Sequence, residues 1–259
     1  MNRLGVLGWP VAHSRSPVMH NAAFAALGLE GWRYQHLPVP PELFAETVRA
    51  LGGAGFAGAN VTVPHKEAAL ELATFVTAAA RAIGAANTLT FAPDGAIAAD
   101  NTDAPGLIAA LPAPVARRSA LVLGAGGSAR AAVYALREAG ARDVAVLNRT
   151  RARAEALTAQ LGGRVADAPE PADLLVNCTS VGLDDPDAIP LEPAALAEIG
   201  AVVDLVYRPG GTRLVREARE RGLPHADGLE VLVQQGARSL EIWTGRDAPV
   251  AAMRAAVRA

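Results

Sequence analysis

Leu121-Val122-Leu123-Gly124-Ala125-Gly126-Gly127-Ser128-Ala129 reads as a buried strand, a glycine turn and the first turn of a helix. Ser119 to Leu123 is a short apolar run closed by glycines, which suits a central parallel strand. Arg130 to Ala139 is alanine-rich and carries Leu136, a good helix-forming composition, and Gly140 stops it. Gly124, Gly126 and Ala129 fit the G-x-G-x-x-G/A spacing of a dinucleotide-binding turn. Gly124 permits the tight turn. Gly126 has no Cβ, so a pyrophosphate can approach the backbone, and Ala129 lets the helix pack close to the strand. Free N–H groups and the helix dipole then face the anion. A glycine triplet alone is common in ordinary turns; with strand, loop and helix in the required order, dinucleotide binding outweighs that simpler reading.

A second strand, Asp143 to Leu147, ends in Asn148-Arg149-Thr150-Arg151-Ala152-Arg153. An enzyme using NAD usually places Asp or Glu here to accept from the ribose 2′-hydroxyl. This chain has no acid there and offers three arginines, which suit a 2′-phosphate. The expected cofactor is NADP. The simpler reading is that Asn148 or Thr150 caps the next helix while the arginines are solvated, and the two are compatible.

The chain has 259 residues, enough for one large or two modest domains, and 51% of it is hydrophobic. A net charge of −2 argues against nucleic acid as a standing partner. The single cysteine, Cys178, excludes an intramolecular disulfide and reads as a small buried hydrophobe. There is no signal-peptide pattern and no stretch suited to spanning a membrane, so a cytoplasmic protein, monomeric or homodimeric, is expected. Of the 24 Lys and Arg residues only Lys66 is lysine. Biased codon usage accounts for the arginines. A position that keeps lysine has use for a compact ammonium that can give up its proton.

Taken in order, Arg3 to Gly8 is a strand, and a helix from about Pro17 to Leu27 follows His13-Ser14-Arg15-Ser16. Ser16 is a fitting N-cap for it, the favoured local reading. Alternatively, Ser14 and Ser16 offer hydroxyls to a carboxylate. Tyr34 to Val39 is a strand, Pro41 to Leu51 a helix, and Gly52 to Gly58 a flexible turn. In Ala59-Asn60-Val61-Thr62-Val63-Pro64-His65-Lys66, Val61 and Val63 are expected on one strand face, with Asn60 and Thr62 on the other. Lys66 opens a helix through Leu72, where its charge opposes the dipole, so it needs a carboxylate partner or a substrate oxygen. Thr88 to Phe91 and Ala96 to Ala99 flank an Asp94-Gly95 hairpin turn. Asp100 to Gly106 then opens a helix through Leu111, for which Asp103 is a candidate N-cap. After Arg153 the chain continues with a helix to Leu161, strands at Leu174 to Val176 and Ala201 to Val206, a short helix at Pro193 to Ile199, and helices at Thr212 to Gly222 and Leu229 to Thr244. Alternating strand and helix before the nucleotide unit imply an α/β chain of two domains. A substrate domain spans 1–103 and is completed by C-terminal helices within 229–259, and a doubly wound Rossmann-type domain spans 104–228, with a cleft between them.

The ordered set of Ser14-Arg15-Ser16-Pro17 with His20-Asn21, Asn60 to Lys66, Gly84-Ala85-Ala86-Asn87-Thr88, Asn101-Thr102-Asp103, Gly124 to Ser128, Asn148-Arg149-Thr150, Asp204 to Tyr207, Asp227-Gly228 and Gln235 resembles shikimate dehydrogenase across nearly the whole chain. The resemblance implies reduction of 3-dehydroshikimate to shikimate with NADPH. It implies that Ser14 and Ser16 bind the substrate carboxylate, that Thr62, Asn87, Asp103 and Gln235 contact ring hydroxyls, and that Lys66 and Asp103 form the catalytic pair. It also implies that Gly124, Ala125, Gly126, Gly127 and Ser128 hold the pyrophosphate, that Asn148, Arg149, Thr150 and Arg153 take the 2′-phosphate end, and that Leu205, Tyr207 and Gly228 lie near the nicotinamide. Arg15 and Glu230 depart from the family pattern, which more often has an apolar and a small residue there. The alternatives are a quinate/shikimate dehydrogenase with broader substrate or NAD use, a non-catalytic NADPH-binding sensor, and a dehydrogenase for an aminated shikimate analogue.

Overall fold

The computed structural model describes residues 2–259, which form two compact units: the chain up to Gly106 with Leu232–Ala259, and Leu107–Val231. The first begins with β1 (Asn2–Gly8), α1 (Ser16–Ala26) and β2 (Trp32–Pro38). A 3₁₀ turn at Pro41–Leu43 leads into α2 (Phe44–Leu51), then β3 (Phe56–Val61), α3 (Lys66–Glu71), β4 (Phe75–Val76), α4 (Ala78–Ile83), β5 (Thr88–Phe91), β6 (Ile97–Asp100) and α5 (Asp103–Ala110). The sheet order is β2-β1-β3-β5-β6-β4. β1 runs parallel to β2 and β3, β5 antiparallel to β3 and β6, and β4 parallel to β6. Leu7, Phe44, Val48, Phe56, Leu89 and Phe91 belong to the apolar core of this unit.

The second unit continues with β7 (Ser119–Leu123), α6 (Gly127–Glu138), β8 (Asp143–Leu147), α7 (Arg151–Leu161), β9 (Arg164–Val165) and β10 (Leu174–Asn177). A 3₁₀ stretch at Pro193–Glu198, β11 (Val202–Asp204), α8 (Arg213–Glu220) and β12 (His225–Ala226) complete it. Its strands are all parallel, in the order β12-β11-β10-β7-β8-β9. Counted from the first strand of the unit this is the 3-2-1-4-5-6 order of a doubly wound nucleotide-binding sheet. Successive residues on a strand face opposite ways. Val122, Val146, Val176 and Val203 accordingly enter one core, while Leu121, Leu123, Leu175 and Val202 enter the other. A sheet covered on both faces needs continuous apolar strands, and β7 and β10 are such strands. Then α9 (Gly228–Thr244) and α10 (Val250–Arg258) close the chain. The chain passes from one unit to the other inside α5 and again inside α9, slightly past the boundaries read from sequence.

Several local expectations are corrected. β3 starts at Phe56, so the end of the glycine-rich stretch is strand rather than turn; Gly58 pairs with Leu4 and Thr90. β3 ends at Val61, and Val63 is exposed instead of sharing the face of Val61. α4, capped by Thr77 accepting from the Ala80 N–H, was not legible in an alanine-rich segment without periodicity. No described helix is long and apolar enough to cross a membrane.

One core group is out of keeping with its surroundings. His20 is fully buried, stacked on Tyr34 at 4.3 Å between ring centroids, with Trp243 and Phe24 nearby. Neither ring nitrogen has a hydrogen-bond partner, and burial lowers its pKa to about 3. The unfolded chain takes up a proton near pH 6.5, whereas the folded chain resists it down to about pH 3. His20 therefore costs stability as pH falls from 6.5 towards 3. His20→Phe, which keeps an aromatic ring and removes the titration, is expected to raise the melting temperature relative to wild type by an amount that grows from pH 7 to pH 4.5. A pH-independent difference in calorimetry would contradict this.

Candidate active site

The first sheet gathers one end of four strands. The parallel pairing Leu7↔Val61 puts the carboxyl ends of β1 and β3 side by side. The antiparallel pairing Asn60↔Thr88 brings the start of β5 to the same edge, and Thr88↔Asp100 brings the end of β6 there. The segments leaving this edge therefore carry Ser14 and Ser16, Thr62 and Lys66, Asn87, and Asp103. α9 adds Gln235 beside α5: a Cβ on Gly106 would lie 2.6 Å from the Gln235 backbone, so only glycine allows the approach.

Lys66 Nζ lies 2.7 Å from Asp103 Oδ2, with side chains only 13% and 17% exposed. The other carboxylate oxygen accepts from Asn87 Nδ2 at 2.8 Å. Asp103 is free for this because it does not cap α5; Asn101 Oδ1 accepts from the Ala104 N–H instead. The orientation of Asn87 follows from a backbone donor. The Thr102 N–H donates to Asn87 Oδ1 at 2.7 Å, so the amide nitrogen must be the end facing Asp103. Gln235 Oε1 accepts from the same nitrogen at 3.3 Å. Lys66, Asn87, Asp103 and Gln235 are thus directly joined.

Ser14 and Ser16 are joined to each other: Ser14 Oγ accepts from the Ser16 N–H and donates to Ser16 Oγ. Ser16 begins α1 and makes no side-chain cap, so the capping role favoured from sequence does not hold. Arg15 turns away to donate to the Ala256 and Val257 carbonyls at the end of α10, a favourable place for a cation. Thr62 follows β3 immediately, half-buried, and its methyl sits where a Cβ on Gly8 would fall.

In the second unit the glycine turn has the expected form. Gly124 has φ +108°, in the range that disfavours side chains. A Cβ on Gly126 would meet open space, and Gly126 occupies the N-cap position of α6 without a capping side chain. Gly127 and Ser128 begin the helix, with Ala125 half-buried before it and Ala129 fully buried against the core. Past β8, Asn148 Nδ2 donates to the Thr150 carbonyl, while Thr150 takes the N-cap position without a side-chain bond. The simpler capping role for these two residues is thus absent. Arg149, Arg151 and Arg153 are all exposed, and Arg151 is paired with Glu155 and Asp167. Leu205 and Tyr207 follow β11 and are half-buried. A Cβ on Gly228 would lie 2.5 Å from the Leu205 carbonyl oxygen, so this glycine lets α9 start against that segment. Glu230 lies in the first turn of α9.

Asp204 holds these loops together. Fully buried, it accepts from Asn177 Nδ2, the Val206 N–H and Thr212 Oγ1. Asn177 Oδ1 in turn accepts from the Thr179 N–H and hydroxyl. Burial raises the Asp204 pKa to about 6 despite these donors, and nearby Asp227 adds to the rise. The sequence reading assigned Asp204 no role, and it missed the hydroxyls of Thr88, Thr102 and Ser239 behind Asn87. For Ser239 the available signal was its spacing, one helical turn past Gln235.

By fold the chain is a two-unit α/β protein whose second unit carries the dinucleotide-binding strand order. Family models match over residues 6–89 (shikimate dehydrogenase substrate binding domain), 109–179 (shikimate/quinate 5-dehydrogenase) and 228–258 (shikimate 5′-dehydrogenase C-terminal domain). The NADP(+) shikimate dehydrogenase of Methylobacterium radiotolerans is 47% identical, over 94% of this chain and 91% of its own. That of Thermus thermophilus is 49% identical, over 95% and 93%. A crystal structure of Thermus thermophilus shikimate 5-dehydrogenase in complex with NADP(H) and shikimate superposes with a TM-score of 0.91 at 46% identity, covering 100% of this chain and 99% of that one. The chain belongs to the shikimate dehydrogenase family.

The buried carboxylate gives a pH signature opposite in sign to that of His20. The folded Asp204 pKa lies above the ordinary 3.8, so the folded state binds the extra proton between pH 3.8 and about 6. Its contribution to stability is present below 3.8 and is lost as pH rises through about 6. Asp204→Asn can keep the three hydrogen bonds and does not titrate. Its melting temperature relative to wild type is expected to rise between pH 4 and pH 7; a flat difference would show that Asp204 does not titrate in this range.

Proposed function

We propose that this protein catalyses the reversible NADP-dependent reduction of 3-dehydroshikimate to shikimate. The observation that carries the proposal is the shielded Lys66–Asp103 pair, locked to Asn87 and Gln235, in a chain of this family. Ser14 and Ser16 present adjacent hydroxyls for the substrate carboxylate, and Thr62, Asn87, Asp103 and Gln235 serve the ring hydroxyls. Hydroxyl and amide groups are a suitable inventory for a small carboxylated polyol.

The second unit fits the cofactor. Open space before Gly126 and the uncapped start of α6, from Gly124 and Ala125 to Gly127 and Ser128, suit a pyrophosphate. Asn148, Arg149, Thr150 and Arg153 suit a 2′-phosphate, and no acid at that strand end competes for a ribose hydroxyl. Leu205, Tyr207 and Gly228 serve the nicotinamide end. NADPH, when bound, supplies the hydride.

The protein supplies the proton and the charge stabilisation. As the ring carbonyl is reduced, its oxygen gains negative charge. The Lys66 ammonium donates a hydrogen bond to that oxygen and passes its proton, giving the hydroxyl of shikimate. Asp103 Oδ2 holds the ammonium in place, while Asn87 keeps the carboxylate from turning. In the oxidative direction Lys66 takes the proton back.

Initial rates of nicotinamide reduction test the assignment. Strong activity is expected with shikimate and NADP, and little with quinate or NAD. Comparable rates with quinate or NAD would move the assignment to the broader quinate/shikimate enzymes, and tight NADPH binding without turnover would make the protein a sensor. Lys66→Ala is expected to lower kcat by roughly 10²-fold or more, the usual scale for a general acid–base group. Arg149→Ala is expected to raise KM for NADP about tenfold through loss of a charge-assisted contact and to leave KM for NAD unchanged. An equal change for both cofactors would remove Arg149 from the 2′-phosphate site.

A further inference from the structure

Next to Asn87 lies a cluster of buried hydroxyls. The hydroxyls of Thr88, Thr102 and Ser239 form a triangle with sides of 2.9, 3.0 and 3.1 Å. All three residues are buried, Ser239 completely. The triangle is oriented from outside. Asn60 Nδ2 donates to Ser239 Oγ at 2.8 Å, and also lies within reach of Thr88 Oγ1 and the Asn87 carbonyl. Asn60 Oδ1 accepts from the Tyr34 hydroxyl at 2.8 Å. With Asn60 donating to it, Ser239 directs its own proton towards a threonine oxygen or the Gln235 carbonyl, 3.2 Å away.

Both threonines of the triangle touch the Asn87 amide. Thr88 Oγ1 and Thr102 Oγ1 lie 3.2 Å from Asn87 Oδ1, and Thr102 Oγ1 lies 3.0 Å from Nδ2. Removing the Ser239 hydroxyl takes one corner from the triangle; the threonines keep each other and the Asn87 amide, and Thr88 keeps Asn60, so their hydroxyls re-orient around Asn87. Within reach of both is the Asn87 amide, whose nitrogen is committed to Asp103. Buried polar groups are not left unpaired cheaply, so the cluster rearranges at the expense of that contact.

We propose that Ser239 is a positioning residue: it touches neither Lys66 nor Asp103, and acts through the hydroxyl triangle to hold Asn87 in the orientation that fixes the Asp103 carboxylate. This rests on the reaction proposed above. Ser239 lies on α9 and Asn87 at the start of β5, so the triangle ties the helix carrying Gln235 to the edge of the sheet that carries the charges.

The test is a double-mutant cycle on shikimate oxidation, with melting temperature and NADPH affinity recorded for every variant. Ser239→Ala is expected to lower kcat/KM for shikimate roughly tenfold, the scale of one lost buried hydrogen bond, and to leave KM for NADP unchanged. Thr102→Val, which opens the same triangle, is expected to match it, and Thr102→Ser, which keeps the hydroxyl, to stay near wild type. In an Asn87→Ala background the Ser239 effect is expected to vanish, because its route is gone. A Ser239→Ala enzyme as active as wild type, or a full effect persisting without Asn87, would overturn the positioning role while the reaction assignment stands. A wild-type protein that binds NADPH and does not oxidise shikimate would overturn both.

Discussion

An ammonium and a carboxylate 2.7 Å apart, mostly out of water, form the contact around which the first unit is arranged. Taking such a pair from solvent costs more than its attraction returns unless other donors complete its coordination. Asn87 provides one, and Asn87 is itself oriented by the Thr102 backbone N–H. The cap of α5 completes the arrangement. With Asn101 accepting from the Ala104 N–H, Asp103 keeps its oxygens for the site although it stands at the helix start. The fold contributes one edge where four strand ends meet, so residues as distant in sequence as Lys66 and Gln235 are linked through Asp103 and Asn87 by side chains of ordinary length.

The second unit handles a buried charge differently. Asp204 has three neutral donors, and its pKa is driven up by burial rather than down. A carboxylate in that setting organises loops at a cost in stability. It fixes the start of the segment after β11 through the Val206 N–H, and through Asn177 the turn after β10. These turns leave the carboxyl ends of neighbouring parallel strands, where ligands of open α/β sheets are held. Asp103, at the helix start after β6, and Asp204, at the end of β11, thus differ in what they meet, one a cation as well as a neutral amide and the other neutral donors only.

Local patterns that carry their own physics were legible in the sequence. The glycine turn was readable because its spacing encodes a backbone geometry, and Gly124 adopts it. β7 and β10 were readable because a strand buried on both faces must be apolar throughout. Lys66 stood out as the single lysine, at a helix start where its charge has no local reason to be. The errors came where local propensity met tertiary demand. Ser16 looks like an N-cap and sits one residue inside the helix. Asp103 looks like one too, while Asn101 does that work. Val63 continues an alternating pattern past the point where β3 stops. The hydroxyl triangle was invisible because Thr88, Thr102 and Ser239 are brought together only by the pairing of β5 with β6 and the docking of α9.

The use of lysine in a chain otherwise built on arginine follows from the geometry of Asp103. Elsewhere arginine pairs with acids on exposed side chains, as in Arg164 with Asp143 or Arg238 with Glu241, where such contacts contribute little and an extended fork does no harm. At Asp103 a guanidinium would tend to engage both carboxylate oxygens at once. One of them is already held by Asn87. An ammonium binds at a point and engages one carboxylate oxygen, here Oδ2. It can also release a proton under conditions where a guanidinium cannot. The divided carboxylate, with the amide on one oxygen and the ammonium on the other, therefore calls for lysine on geometric grounds before any chemistry is considered, and the chemistry makes the same choice.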